Sequence, residues 1–147
     1  MQPAPVRQEN GIPGKRYGRN IIGDLNNHFE EWIDWNLVLN EEGGPNHVGN
    51  FCVAPVIVDT KKDEVHYNSS YYYIGHFSKF IKPGARRIGS KASNSRILAT
   101  AFENTNGGTV AVLMKENDSK EEVSLSFGGK SMMLVLPEHS IATIIIH

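Results

Sequence analysis

Apolar positions along the chain follow two periods, one helical and one strand-like, and the change from one to the other falls near Gly84. Residues 1–16 show neither, and Pro3, Pro5, Gly11, Pro13 and Gly14 predict a tail with little structure. From Tyr17 on, Ile21, Leu25, Phe29 and Trp32 recur at steps of four, four and three, which predicts one face of an amphipathic helix. In the next segment Ile33, Trp35, Leu37 and Leu39 share one strand face, with Asp34 and Asn36 on the other. Such a strand is half buried or lines a site. Asn40 to Asn50, with Gly43-Gly44-Pro45 inside it, reads as a loop. Ala54 to Asp59 and Glu64 to Tyr67 read as strands around a Lys61-Lys62-Asp63 turn. Ser69 or Ser70 is placed to cap a second helix carrying Tyr73, Phe77 and Phe80 on one side and ending before Pro83-Gly84.

After Arg86 every periodic segment is strand-like: 86–92, 96–104, 109–116, 121–127, 130–136 and 140–146. The breaks hold Asn106-Gly107-Gly108, Asn117-Asp118-Ser119 and Gly128-Gly129, residues that tolerate positive φ. Val123, Leu125 and Phe127 alternate with polar neighbours, so one face of that sheet should be buried, against Ile141 to Ile146. The expected organisation is a tail over 1–16, a mixed α/β part over 17–84 and an all-β part over 85–147. Neither part is complete by itself. One or two β/α units leave a parallel sheet uncovered, and six antiparallel strands fall short of the seven or so of a full sandwich.

Composition narrows the function. Fifteen Lys and Arg against sixteen Asp and Glu give a net charge of -1, so no basic field exists to hold a polyanion, and nucleic acid is not an expected partner. A single cysteine, Cys52, excludes an intrachain disulfide and a Cys-based zinc site, and does not set a compartment. No apolar run reaches the roughly 18–20 residues of a membrane span, and no signal peptide is read. His28, His47, His66, His76, His139 and His147 lack HxH or HExxH spacing, so neither a metal nor a cofactor is expected.

The densest polar and aromatic constellation is W-x-D-W-N at Trp32 to Asn36, followed by G-G-P-N-H-V-G-N-F at Gly43 to Phe51. Two indoles, a carboxylate and several amides suit a sugar: aromatic faces cover the apolar side of a pyranose and planar polar groups pair with its hydroxyls. The plainer reading, which the pattern alone favours, makes both tryptophans core residues and gives Asn46 and Asn50 to the loop. Ser69-Ser70 with His76 lacks a G-x-S-x-G elbow, and the run Tyr71-Tyr72-Tyr73 reads as packing.

The stretches WIDWNLVLNEEGGPNHVGNFCVAPVIVD and SYYYIGHFSKFIKPGARRI resemble the C-terminal third of glucosylceramidase-like enzymes of glycoside hydrolase family 30, over Tyr17 to His147. The resemblance implies the last units of a TIM (β/α)8 barrel followed by an antiparallel β-sandwich, with Ile33 to Leu39 as barrel strand eight. Members are retaining enzymes that cleave β-glucosidic bonds with two carboxylates about 5 to 5.5 Å apart. In the family these glutamates come from barrel strands four and seven, upstream of the matched region, and Glu9 lacks their context, so no catalytic residue is assigned. The resemblance places Trp35 and Asn50 on the sugar site, with Trp32, Asp34, Asn36 and Phe51 shaping it.

The resulting expectation is a fragment of such a glycosidase that keeps one sugar-binding wall for a β-glucoside or glucosylceramide-like substrate and is inactive alone. The alternatives are half of a split enzyme, completed in trans by the missing barrel portion, or a non-catalytic carbohydrate-binding or structural β-module. Family members are often secreted or lysosomal. For this chain the compartment stays open.

Overall fold

The structure is a computed structural model, and it describes residues 12–147. The expected tail therefore falls mostly outside the described residues, but its last part does not behave as a tail. Helix α1 runs over Ile12–Asn26, so Pro13 and Gly14 lie in its first turn. Proline is tolerated there because the amide it lacks would have had no intrahelical partner. Gly14 and Gly18 are glycines of close approach rather than of flexibility. A Cβ on Gly14 would sit 2.7 Å from Tyr73 Cδ2, and one on Gly18 would sit 2.7 Å from both Tyr73 Cδ1 and Met114 Sδ. The bare backbone lets α1 press onto α2 (Ser69–Ser78).

Helix α1 also stops earlier than its apolar spacing suggests. After Asn26 the backbone turns through His28 at φ 67°, a left-handed residue that ends the helix. Phe29 is consequently 61% exposed, and Trp32 reaches the core from outside the helix. The second helix is placed as expected, with Tyr73 and Phe77 buried, but its N-cap position is held by Asn68. The Asn68 side chain donates to Ala54 O at 2.7 Å instead of capping the helix, and Ser69 Oγ accepts from Gly14 N at 3.1 Å.

Three strands belong to the first part: β1 (Val38–Asn40), β2 (Val56–Asp59) and β3 (Glu64–Tyr67). β1 runs parallel to β2, Val38 opposite Val56, and β2 and β3 form a hairpin around residues 60–63. The strand expected over 33–39 is thus only three residues long. Residues 33–37 are not in a strand, because a ladder needs a neighbour and the first bond available is Val56 N to Leu37 O at 3.0 Å.

The second part has a strand in each expected segment: β4 (Arg86–Ile88), β5 (Ile97–Glu103), β6 (Thr109–Lys115), β7 (Glu121–Phe127), β8 (Lys130–Leu136) and β9 (Ile141–Ile146), with the first, expected over 86–92, ending at Ile88 where its pairing with β5 ends. The four-stranded sheet has order β4-β5-β6-β9, and β7-β8 is a separate hairpin lying over it. Side chains alternate across β6. Val110, Val112 and Met114 face the helices and pack with Ile21, Ile22, Tyr73 and Phe77, while Leu113 faces the hairpin with Ile97 and Leu136. Val123 packs there with Ala142 and Ile144 as expected, but Phe127 is 44% exposed. Two strands cannot cover four, and an apolar groove of about 660 Å³ remains, lined by Ala99, Ala101, Leu113, Val123, Leu125 and Phe127 among others.

The two parts are joined by more than the chain. Buried Asn104 donates through Nδ2 to Phe80 O at 2.9 Å and accepts from Lys82 N at 2.9 Å through Oδ1. Its own amide closes the β5–β6 turn onto Gly108 O at 2.8 Å. One asparagine therefore ties the end of α2 to the sandwich.

Candidate functional site

The W-x-D-W-N segment emerges between α1 and β1. Trp32 is partly buried against the helix–sheet core, and its ring meets Tyr17 edge-on with centroids 5.5 Å apart. Asp34 turns its carboxylate inward: Oδ1 accepts from Tyr17 Oη at 3.2 Å and from Trp35 N at 2.9 Å. Asp34 Oδ2 is buried with no hydrogen-bond partner among the described residues. Asn36 is half-buried.

Trp35 points the other way and is 89% exposed. It shares its face with Ile33 and Leu37, also exposed, so the face expected to be half buried is open as far as Leu37 and closes only at Leu39. The physical reason is the missing ladder: among the described residues no strand pairs with residues 33–37. The reading that makes both tryptophans core residues holds for Trp32 and fails for Trp35.

The loop that carries Asn50 and Phe51 has a built base and a free tip. Asn40 Oδ1 accepts from Glu42 N at 3.1 Å and Gly44 N at 2.8 Å, while Cys52 N donates to Gly43 O at 3.1 Å. Gly43 is buried at φ 81°, and a Cβ there would stand 2.5 Å from Cys52 O, so glycine is required on both counts. Beyond this knot, Pro45 to Phe51 are exposed, Phe51 at 66%. The structure thus joins Trp32 and Asp34 into one network through Tyr17, and leaves Trp35, Asn50 and Phe51 projecting from separate supports. Tyr17 is the residue that sequence reasoning passed over, because its role depends on the approach of α1 to residue 34. The only available signal was an aromatic at the head of a helix that precedes a W-x-D-W.

Glu41, one residue beyond β1, is the carboxylate nearest in sequence to the strand end. Its oxygens accept from Thr60 N at 3.0 Å and Thr60 Oγ1 at 3.1 Å, and Lys61 Nζ lies 3.4 Å away. Chiefly the Thr60 amide, then its own amide, hold its carboxyl down at about 2. A general acid needs the opposite shift, so Glu41 is a loop anchor. The hairpin brings together one metal-type set that linear spacing did not reveal: Asp59, Glu64 and His66 place ligand atoms within 4.8 Å of one another. Those groups already have neighbours: His66 Nε2 lies 3.3 Å from Glu64 Oε2, and Asp59 pairs with Lys62 Nζ at 3.4 Å.

A short parallel strand with an exposed aromatic and amide edge, backed by two helices that pack on a β-sandwich, is the arrangement of the end of an α/β barrel followed by a sandwich domain. The glycosyl hydrolase family 30 TIM-barrel domain matches residues 6–81, and the β-sandwich domain of the same family matches residues 84–144. The chain belongs to glycosyl hydrolase family 30. It is 42% identical over 134 residues to lysosomal acid glucosylceramidase of Mus musculus, a match that takes in 88% of this chain and 26% of that protein. Among solved structures, SrfJ from Salmonella typhimurium superposes with a TM-score of 0.90 at 33% identity, over 97% of this chain and 32% of that one. The endo-beta1,6-glucanase BT3312 gives a TM-score of 0.79 at 31% identity, over 88% of this chain and 30% of that one. The chain spans about a quarter of the length of the curated relative, and among the described residues no helix is long and apolar enough to cross a membrane.

Proposed function

We propose that these 147 residues form the last barrel strand and the sandwich of a retaining β-glucosidase acting on glucosylceramide-type substrates. In this reading they supply one wall of the glucose site, and the catalytic carboxylate pair comes from barrel strands outside the chain. Trp35 stacks on the sugar face, Asn50 hydrogen-bonds a hydroxyl, and Asp34, Asn36, Trp32 and Phe51 shape the wall around them. The observation that carries the reading is Trp35: an indole 89% exposed on a backbone held from behind by Asp34 is built to be covered by something. The activities named for relatives at 31% and 42% identity, endo-beta1,6-glucanase and glucosylceramidase, both concern glucose units, which suits a shared glucose wall with differing leaving groups; the xylanases among the solved neighbours are under 20% identical and bear on the fold alone.

Domain limits go with this proposal: the expected start of the barrel part at 17 moves back at least to Ile12, where α1 begins, its end stays at 84, and the sandwich takes 85–147. The partner in this proposal is the remaining barrel strands, whether on the same polypeptide or in trans. Alone, the chain is expected to be inactive, since a retaining reaction needs both carboxylates about 5 to 5.5 Å apart.

The test is replacement. This chain is exchanged for the matched quarter of the mouse relative, and hydrolysis of an aryl β-glucoside is followed. The folded chimera should turn over, and Trp35→Ala should lower its kcat/KM by about tenfold or more, while the isolated chain stays at the buffer rate. A folded chimera indifferent to Trp35→Ala, or turnover by the isolated chain, would sink the reading.

A further inference from the structure

We infer that Tyr17 is a positioning residue for the sugar wall, acting on Trp35 through Asp34; the inference rests on the glucose-wall reading for its function and on geometry for its mechanism. An indole that is 89% exposed has almost no packing of its own to fix its direction. Its orientation must come from the backbone that carries it, and residues 33–37 are not in a strand that would hold that backbone. What fixes it is one oxygen. Asp34 Oδ1 accepts the Trp35 amide at 2.9 Å and the Tyr17 hydroxyl at 3.2 Å, so a group on α1 and the backbone at Trp35 meet on the same atom.

The anchor end of this clamp is rigid. The Tyr17 ring packs edge-on against Trp32, which itself joins the core of Ile21, Ile22, Tyr73 and Phe77. Helix α1 is locked at Gly14 and Gly18, where added Cβ atoms would collide with Tyr73. The rotation of the Asp34 carboxylate, and with it the turn into Trp35, is thereby referred to the helix–sandwich core rather than to the open barrel edge. At 3.2 Å the Tyr17 bond is long for an O–H···O contact, and it spans the step between packed and exposed regions.

Asp34 Oδ2 adds a directional detail. It is buried and has no hydrogen-bond partner among the described residues, so only one of the two carboxylate oxygens is committed to the clamp. A buried, unpaired carboxylate oxygen is costly. It is poised to accept one more donor once the remaining barrel or a ligand hydroxyl arrives, and that bond would tighten the same carboxylate.

Tyr17→Phe is the discriminating variant, because it keeps the ring on Trp32 and removes only the hydroxyl. In the isolated chain, backbone 15N relaxation at Trp35 is expected to fall from the rigid range, an order parameter of about 0.85, toward about 0.6, with α1 and β6 unchanged. In the chimera, the same variant should raise KM for an aryl β-glucoside about five- to tenfold with kcat nearly constant, the mark of lost binding rather than lost chemistry. It should add nothing further in an Asp34→Ala background. Unchanged relaxation at Trp35, or equal loosening throughout α1, overturns the clamp and leaves Tyr17 a packing residue. Loosening of Trp35 in the chain with an unmoved KM in an active chimera would instead uphold the clamp and overturn the glucose wall.

Discussion

The helices and the sandwich hold the main core clusters, whereas the strand, loop and hairpin between residues 29 and 67 display most of their large apolar side chains. Of the seventeen large apolar side chains exposed among the described residues, ten lie within that middle stretch, from Phe29 to Tyr67. Both regions were written with the same kinds of residue. The difference is in partners: α1 and α2 find the even-numbered face of β6, and the sandwich hairpin finds the odd-numbered one. Among the described residues strand β1 finds only β2 and has no neighbour on its other edge. A barrel has no edges once closed, and one strand taken out of that closure has nothing to place against its apolar face. The helices that belong to the barrel by sequence match are thus energetically part of the sandwich.

The sharpest way to break this contrast is truncation on either side of it. Phe77→Ala, at a side chain 6% exposed in the helix–sheet core, should cost about 3–5 kcal/mol and unfold helices and sandwich together. Trp35→Ala in the isolated chain should cost under about 0.5 kcal/mol. Denaturant melts of both variants check this, and comparable losses would mean that the open stretch contributes to the common core after all.

A smaller effect is expected within the packed region. Lys115, at the end of β6, is fully buried, and its Nζ has no hydrogen-bond partner among the described residues. Its charge, after the Asn117 hydrogen bond and the charge of Arg96, helps hold the Glu121 carboxyl below its usual value. Leaving an ammonium group unpaired costs more than that attraction returns. Lys115→Met should therefore stabilise the chain by about 1 kcal/mol, read as a higher midpoint in urea. A lower midpoint would show the ammonium to be solvated or paired.

The smallest effect is a pH dependence confined to the helix–sandwich seam. His76 Nδ1 lies 2.9 Å from Thr143 Oγ1, and the hydroxyl donates onward to His76 O at 3.2 Å. Burial pushes this imidazole below its usual value. The unfolded chain then takes up the proton before the native one does, so stability is full above about pH 6.5 and declines as pH falls below it. Melts between pH 7.5 and 5 should show that decline, and His76→Gln should flatten it. Glu41 shifts in the same direction but acts only lower, as pH falls from the usual carboxylate range toward about 2, so the two windows separate.

Much of this architecture was legible in the order of residues. The strands after Arg86 fell where alternation and the glycine-bearing turns put them, since Gly107, Gly128 and Gly129 do adopt positive φ. The second helix and the hairpin around residues 60–63 were readable for the same local reason. The motif around Trp32 to Phe51 announced family and candidate wall together, because those residue types in that order are specific.

What local pattern could not carry was any feature set by a neighbour far along the chain. Gly14 resembles a flexible tail until Tyr73 stands 2.7 Å from its missing Cβ, and Trp32 and Trp35 are the same residue type three apart with opposite fates. Tyr17 acquires a role only when its hydroxyl meets Asp34, seventeen residues on. Periodicity records which way a side chain points along its own element. Whether anything waits there to bury it, or to accept its proton, is decided by the packing of elements against one another, and that exists only in the folded chain.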